Sequence, residues 1–156
     1  MMSGLQIGDA IPTVKLTDAD GATIDLAAMT GAPLVVYFYP KADTPGCTVE
    51  AQDFTRLAPD FAHLNAQILA VSRDAPAKLC KFRDKYGLTV RLASDEDGSV
   101  CEAFGTWVEK QNYGRTYMGI ERSTFLFGAD GKLVKEWRKV RVKGHAEAVL
   151  EAAKAL

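Results

Sequence analysis

The sequence predicts an α/β protein, a central mixed β-sheet flanked by helices and preceded by an N-terminal β-hairpin. Three observations carry that expectation. Leu34-Val-Val-Tyr-Phe-Tyr39 is an apolar, β-branched and aromatic run without alternation, as suits a strand covered on both faces. Strand-like and helix-like periodicities then alternate as β-α-β-α through residues 34–86. Further on, Gly128-Ala-Asp-Gly131 separates two strand-like runs and an Ala-rich amphipathic segment follows.

Each element has its own local reason. In the segment Val14 to Leu26, Asp18-Ala-Asp-Gly21 supplies turn chemistry between two short strands, the N-terminal hairpin. Leu34–Tyr39 is expected to be the central strand, ended by Pro40. A helix is expected soon after Pro45-Gly46, with Phe54, Leu57, Phe61 and Leu64 on one face, and Pro59 should kink or divide it. Ile68–Ser72 reads as a second buried strand, and Pro76 opens a helix through about Tyr86 that Gly87 closes. Gly98 to Phe104 suggests a short helix, and Ser123–Phe127 with Lys132–Val140 an antiparallel hairpin. His145 to Leu156 closes the chain as a helix with Ala148, Val149 and Ala152 inward. A βαβ unit followed by a β-hairpin and a helix is the thioredoxin-like arrangement, with helices on both faces of the sheet.

Composition narrows the function classes. A length of 156 residues suits a single domain, 1–156. With 47% hydrophobic and 25% charged residues the chain has the balance of a soluble globular protein. The longest mostly apolar run, Ala32 to Tyr39, is too short to cross a bilayer, and Met-Met-Ser-Gly-Leu-Gln lacks the features of a secretory signal, so a cytoplasmic location without membrane association is expected. A net charge of -1 argues against nucleic acid as a partner, and the one basic run, Arg138 to Lys143, reads as a solvated strand end. Cys47, Cys80 and Cys101 are odd in number and lie 33 and 21 residues apart, which fits neither a disulfide framework nor a zinc knuckle. The two histidines, His63 and His145, lie far from the cysteines in sequence, so no metal and no cofactor is expected. Thiol chemistry or inert packing remains.

The loop from Tyr39 to Glu50 runs from the end of the expected central strand into a helix, which is where sites lie in open α/β sheets. A free cysteine is about 3% ionised near neutrality, against about 90% if its pKa falls to about 6, a difference of roughly 3.4 kcal/mol. A helix N-terminus supplies about 0.3 to 1 kcal/mol, or about 2 when partly buried, so a guanidinium is required as well. Arg122, which begins the strand Ser123–Phe127, is the best-placed candidate; the competing reading is a surface arginine at a strand end. Thr44 offers a hydroxyl to a substrate oxygen or to the sulfur, and the backbone N–H groups of Gly46 and Cys47 can point into the same pocket. Pro45 stiffens the loop, and Pro40 could shield the sulfur, although a proline ending a strand is often only structural. Glu50, three residues after Cys47, could hold the arginine or merely suit the helix macrodipole as a first-turn acid.

The string Phe38-Tyr-Pro40-Lys-Ala-Asp-Thr44-Pro-Gly-Cys47-Thr-Val-Glu50-Ala51 resembles the active-site signature of peroxiredoxins, most like the bacterioferritin-comigratory-protein branch, also called PrxQ. Ala70-Val-Ser-Arg-Asp74, Leu92-Ala-Ser-Asp-Glu-Asp97, Arg122-Ser-Thr-Phe125 and the last helix extend the resemblance over nearly the whole chain. It implies a thiol peroxidase in which Cys47 attacks hydrogen peroxide or an organic hydroperoxide, with Pro40, Thr44 and Arg122 completing its pocket.

One departure is informative. Many members of this branch carry a resolving cysteine five residues after the first, where this chain has Gln52. Another subgroup places it on the next helix, and Cys80 lies there, so the resemblance implies a Cys47–Cys80 intramolecular disulfide reduced by thioredoxin or a similar dithiol protein. A one-cysteine peroxidase resolved by an external thiol and a non-enzymatic peroxide sensor are the alternatives. Cys101 is expected to be buried packing. The missing C-terminal tail cysteine of dimeric relatives implies a monomer.

Overall fold

The computed structural model describes residues 5–156. Nine strands and four helices alternate along the described chain: β1 (Lys15–Asp18), β2 (Thr23–Asp25), β3 (Leu34–Phe38), α1 (Pro45–His63), β4 (Gln67–Ser72), α2 (Pro76–Tyr86), β5 (Arg91–Ser94), α3 (Ser99–Phe104), β6 (Trp107–Asn112), β7 (Arg115–Ile120), β8 (Ser123–Phe127), β9 (Leu133–Trp137) and α4 (His145–Lys154). Seven strands form one mixed sheet in the order β2-β1-β5-β4-β3-β8-β9, and β6 pairs with β7 as a separate ribbon. Within the sheet β3, β4 and β5 run parallel, joined by the α1 and α2 crossovers, and β8 pairs antiparallel with β3. The expected α/β, thioredoxin-like mixed sheet is therefore present. The middle position belongs to β4, however, and β3, expected there, stands next to it.

All five residues of β3 are buried, because the sheet is covered on both faces. Val35 and Tyr37 enter a core with Phe54, Phe61, Phe82 and Val149 from α1, α2 and α4. Leu34, Val36 and Phe38 enter a second core with Val100, Phe104, Phe125 and Phe127, on the α3 side. Tyr37 stacks on Phe54 with ring centroids 4.6 Å apart, which fixes α1 over the strand that leads into its own N-terminus. Truncating Phe54 would cost about 3 to 5 kcal/mol on the scale of large-to-small aromatic substitutions.

Pro59 does not divide α1, which runs unbroken from Pro45 to His63. Pro59 stands on the exposed face of the helix, away from the core. Helix α2 ends at Gly87, whose φ of 61° is left-handed and whose N–H bonds the Arg83 carbonyl, the stop read from the sequence. On α4 the inward face is Ala146, Val149, Leu150 and Ala153; Ala148 is exposed and Ala152 only half-buried, one position out of register with the expectation except at Val149. The last hairpin closes at Trp137 rather than Val140. Among the described residues no helix is long and apolar enough to cross a membrane.

Candidate active site

Helix α1 starts directly below the C-terminal end of β3. Thr44 takes the extended N-cap conformation (φ -100°, ψ 156°), Pro45 occupies the first helical position, and Cys47 falls in the first turn. The N–H groups of Gly46 and Cys47 thus belong to the set that a helix start leaves without an internal partner. The approach loop is strapped to α2 and the turn before it. Asp74 accepts the Ala42 N–H at 2.7 Å and the Ser72 hydroxyl at 2.9 Å. Asp43, in a left-handed conformation at φ 62°, accepts from the Tyr86 hydroxyl at 2.6 Å and from Lys85 at 2.9 Å.

Arg122 crosses to this helix from the start of β8. Its Nη2 donates to the Cys47 sulfur at 3.2 Å and its Nη1 to Glu50 Oε1 at 2.6 Å. Cys47 is 2% exposed and Glu50 1%. Glu50 sits in the second turn of α1, not the first, so pairing with Arg122 rather than the macrodipole accounts for it. Burial pushes the Glu50 carboxyl up to about 7, against the downward pull of Arg122. Gly46 makes room for the guanidinium, since a Cβ there would lie 3.3 Å from Arg122 Nη2.

The remaining expected residues are placed as follows. The Thr44 hydroxyl lies one turn before Cys47 and donates to the Lys41 carbonyl at 2.8 Å, so toward the pocket its oxygen offers lone pairs rather than its proton. Pro40 is exposed and lines a cleft of about 530 Å³ with Lys41, Arg73, Trp107, Lys110 and Ile120. Burial and the neighbouring Arg122 both lower the pKa of Lys110. This cleft depends on the β6–β7 ribbon, which the sequence reading left unassigned.

Cys80 is half-buried on α2 and is not brought to Cys47. Arg83 Nη2 donates to its sulfur at 3.4 Å, and its thiol donates to Asp84 at 3.7 Å. Arg83 in turn reaches Asp20 in the β1–β2 turn at 3.1 Å. At about 100° per residue, Cys80 stands roughly 120° to 140° around the helix from Tyr86 and Lys85, the side chains that hold the Cys47 loop. Both cysteines are free thiols. Cys101 is fully buried, and burial together with Asp95 beside it pushes its thiol far up, consistent with packing. His145 bonds Thr124 at 2.8 Å; burial first, and Arg122 second, lower its pKa to about 4.

A buried thiol under a guanidinium, at the helix start that follows an inner strand of a thioredoxin-like sheet, defines a cysteine-based redox protein. The chain belongs to the AhpC/TSA family, whose profile matches residues 7–136. Among similar proteins, Peroxiredoxin Bcp of Bacillus subtilis is 45% identical over 150 residues, covering 96% of each chain. Peroxiredoxin Bcp of Escherichia coli is 42% identical over 149 residues, again 96% of each. Of solved structures, the Xanthomonas campestris bacterioferritin comigratory protein superposes with a TM-score of 0.90 at 45% identity, covering 99% of this chain and 98% of the other. A Xylella fastidiosa PrxQ gives 0.93 at 41%, with the same coverage. The peroxiredoxin resemblance read in the sequence is thereby borne out.

Proposed function

We propose that this protein is a thiol peroxidase that reduces hydrogen peroxide and organic hydroperoxides, with the Cys47 thiolate as nucleophile. The observation that carries the reading is the Arg122 guanidinium 3.2 Å from the Cys47 sulfur. The guanidinium sets a positive charge at the sulfur and beside the oxygen it attacks, where negative charge moves as the O–O bond breaks. The sulfur attacks the terminal oxygen of HO–OR; the S–O bond forms, the O–O bond breaks and RO⁻ departs. Arg122 and the N–H groups of Gly46 and Cys47 face the charge that develops, while the Thr44 oxygen can accept the peroxide hydrogen. The Xanthomonas protein is described for alkyl peroxide reduction, which supports organic hydroperoxides as substrates here.

The product is a Cys47 sulfenic acid. In the reading preferred here Cys80 attacks it, water leaves, and a dithiol protein of the thioredoxin kind reduces the resulting disulfide in a monomeric, cytoplasmic enzyme. Bridging needs Cα atoms within about 7 Å, and with Cys47 buried in the first turn of α1 and Cys80 held by Arg83 and Asp84 on α2, the expected route is unwinding of that first turn and release of Cys80 from both partners. That engagement of Cys80 favours the second reading, resolution by an external thiol. Thiol mapping after one equivalent of peroxide separates them. A Cys47–Cys80 bridge supports the first, whereas a sulfenic acid that persists with Cys80 intact supports the second; an unmodified Cys47 refutes both.

A further inference from the structure

One cation here serves two acids. Arg122 spends one N–H on the Cys47 sulfur and another on Glu50 Oε1, and both acids are buried. The other carboxyl oxygen, Glu50 Oε2, is buried with no hydrogen-bond partner among the described residues, a costly state for an ionised carboxylate. The groups facing this pair from each neighbouring element offer no second dependable cation. From β3, Tyr37 stays a neutral phenol because burial raises its pKa well above the usual value, and its hydroxyl is also buried without a partner. Tyr39 beside it is raised likewise. From α1, Asp53 adds negative charge that raises Glu50 further. On β6 the Lys110 ammonium is disfavoured by burial and by Arg122, and on α4 His145 is neutral near neutrality.

We propose that Cys47 and Glu50 share one proton across Arg122: at rest the sulfur is a thiolate and Glu50 a carboxylic acid, and oxidation of the sulfur releases that proton to balance the leaving alkoxide. The inference rests on the proposed peroxidase chemistry and deepens it. The step balances as Cys47–S⁻ + Glu50–COOH + ROOH → Cys47–SOH + Glu50–COO⁻ + ROH. The O–O bond is reduced, the sulfur is oxidised, and Arg122 faces one negative charge before and after. Glu50 acts through Arg122 without touching the peroxide, as a positioning residue whose protonation keeps the guanidinium committed to the sulfur.

The test is a single turnover in weak buffer with a pH-indicator dye near neutrality, using Cys80→Ser protein so that oxidation stops at the sulfenic acid. Resting thiolate is read from the ultraviolet absorbance lost on changing Cys47 to serine. The expected result is thiolate absorbance at rest and no net proton uptake on oxidation. Adding Glu50→Gln should produce uptake of one proton per Cys47 oxidised, with the resting thiolate absorbance unchanged, because a neutral amide replaces a neutral acid. Thiolate at rest with one proton taken up by the Glu50-containing protein overturns the proposal, because Glu50 is then already ionised. Absence of thiolate absorbance also overturns it, because the shared proton then sits on sulfur. Both results can be read without the Gln variant, should it fail to fold. Failure of Cys47 to react at all is a different outcome and refutes the peroxidase reading instead.

Discussion

Replacing Arg122 by glutamine keeps a planar amide near the Cys47 sulfur but removes the positive charge. The full Coulomb interaction at 3.2 Å is about 5 kcal/mol at an effective dielectric of 20. The guanidinium side chain is 17% exposed, so solvent screens part of that, and about half is a working figure. Some 2 to 3 kcal/mol corresponds to roughly a 30- to 150-fold loss of thiolate-dependent rate near neutrality. Glu50 loses its cation in the same variant but stays a neutral acid, so no buried carboxylate is left to unfold the site. The assay is stopped-flow oxidation of Cys47 by hydrogen peroxide, with iodoacetamide alkylation across pH as a substrate-independent measure of thiolate. A variant that stays within threefold of the parent in both would refute the electrostatic reasoning, because no other described side-chain nitrogen lies within hydrogen-bonding distance of this sulfur.

Cys101→Ala should cost about 1 to 2 kcal/mol in chemical denaturation, since a fully buried thiol is lost, while the peroxide rate stays unchanged. His145, lowered from 6.5 to about 4, gives stability that is present above pH 6.5 and is lost as pH falls toward 4. Glu50, raised from 4.5 to about 7, works in the opposite sense, its contribution lost as pH rises from 4.5 through 7. The informative quantity is therefore the stability difference between the parent and His145→Gln, which should narrow by about 1 to 3 kcal/mol as pH falls across the histidine window, measured by denaturant melts. Asp43→Asn tolerates the left-handed backbone yet loses the ion pair to Lys85. Disulfide formation between Cys47 and Cys80 after peroxide should quicken by about two- to fivefold, followed by quenched-flow thiol trapping.

The parts of the fold that were legible before the structure are those whose own residues decide them. Leu34–Phe38 has no polar face to present, so it had to be covered on both sides, and Pro76 and Gly87 bracket α2 by backbone restriction alone. The β6–β7 ribbon was not legible, because most of its side chains are exposed and it lacks an apolar alternation. Its one local signal is Tyr113-Gly114, both at positive φ (52° and 76°), a two-residue hairpin turn whose first position is not one of the usual turn formers. Strand β5 was missed because four residues beginning with exposed Arg91 carry too short a pattern. In the site, the charge requirement on Cys47 pointed to Arg122 and Glu50. Sequence offered Glu50 as a partner of that arginine or as a macrodipole acid and could not decide between them, nor which way Cys80 would face, since both depend on how separate elements pack.

The most direct trial of the whole account is intact-mass analysis of peptides after limiting hydroperoxide, comparing the parent with Cys47→Ser. The account predicts that a single oxygen, or the disulfide that succeeds it, appears first at Cys47, and that the serine protein consumes no hydroperoxide above background. Oxidation that begins at Cys80 or Cys101, or sustained turnover without the Cys47 sulfur, would contradict it.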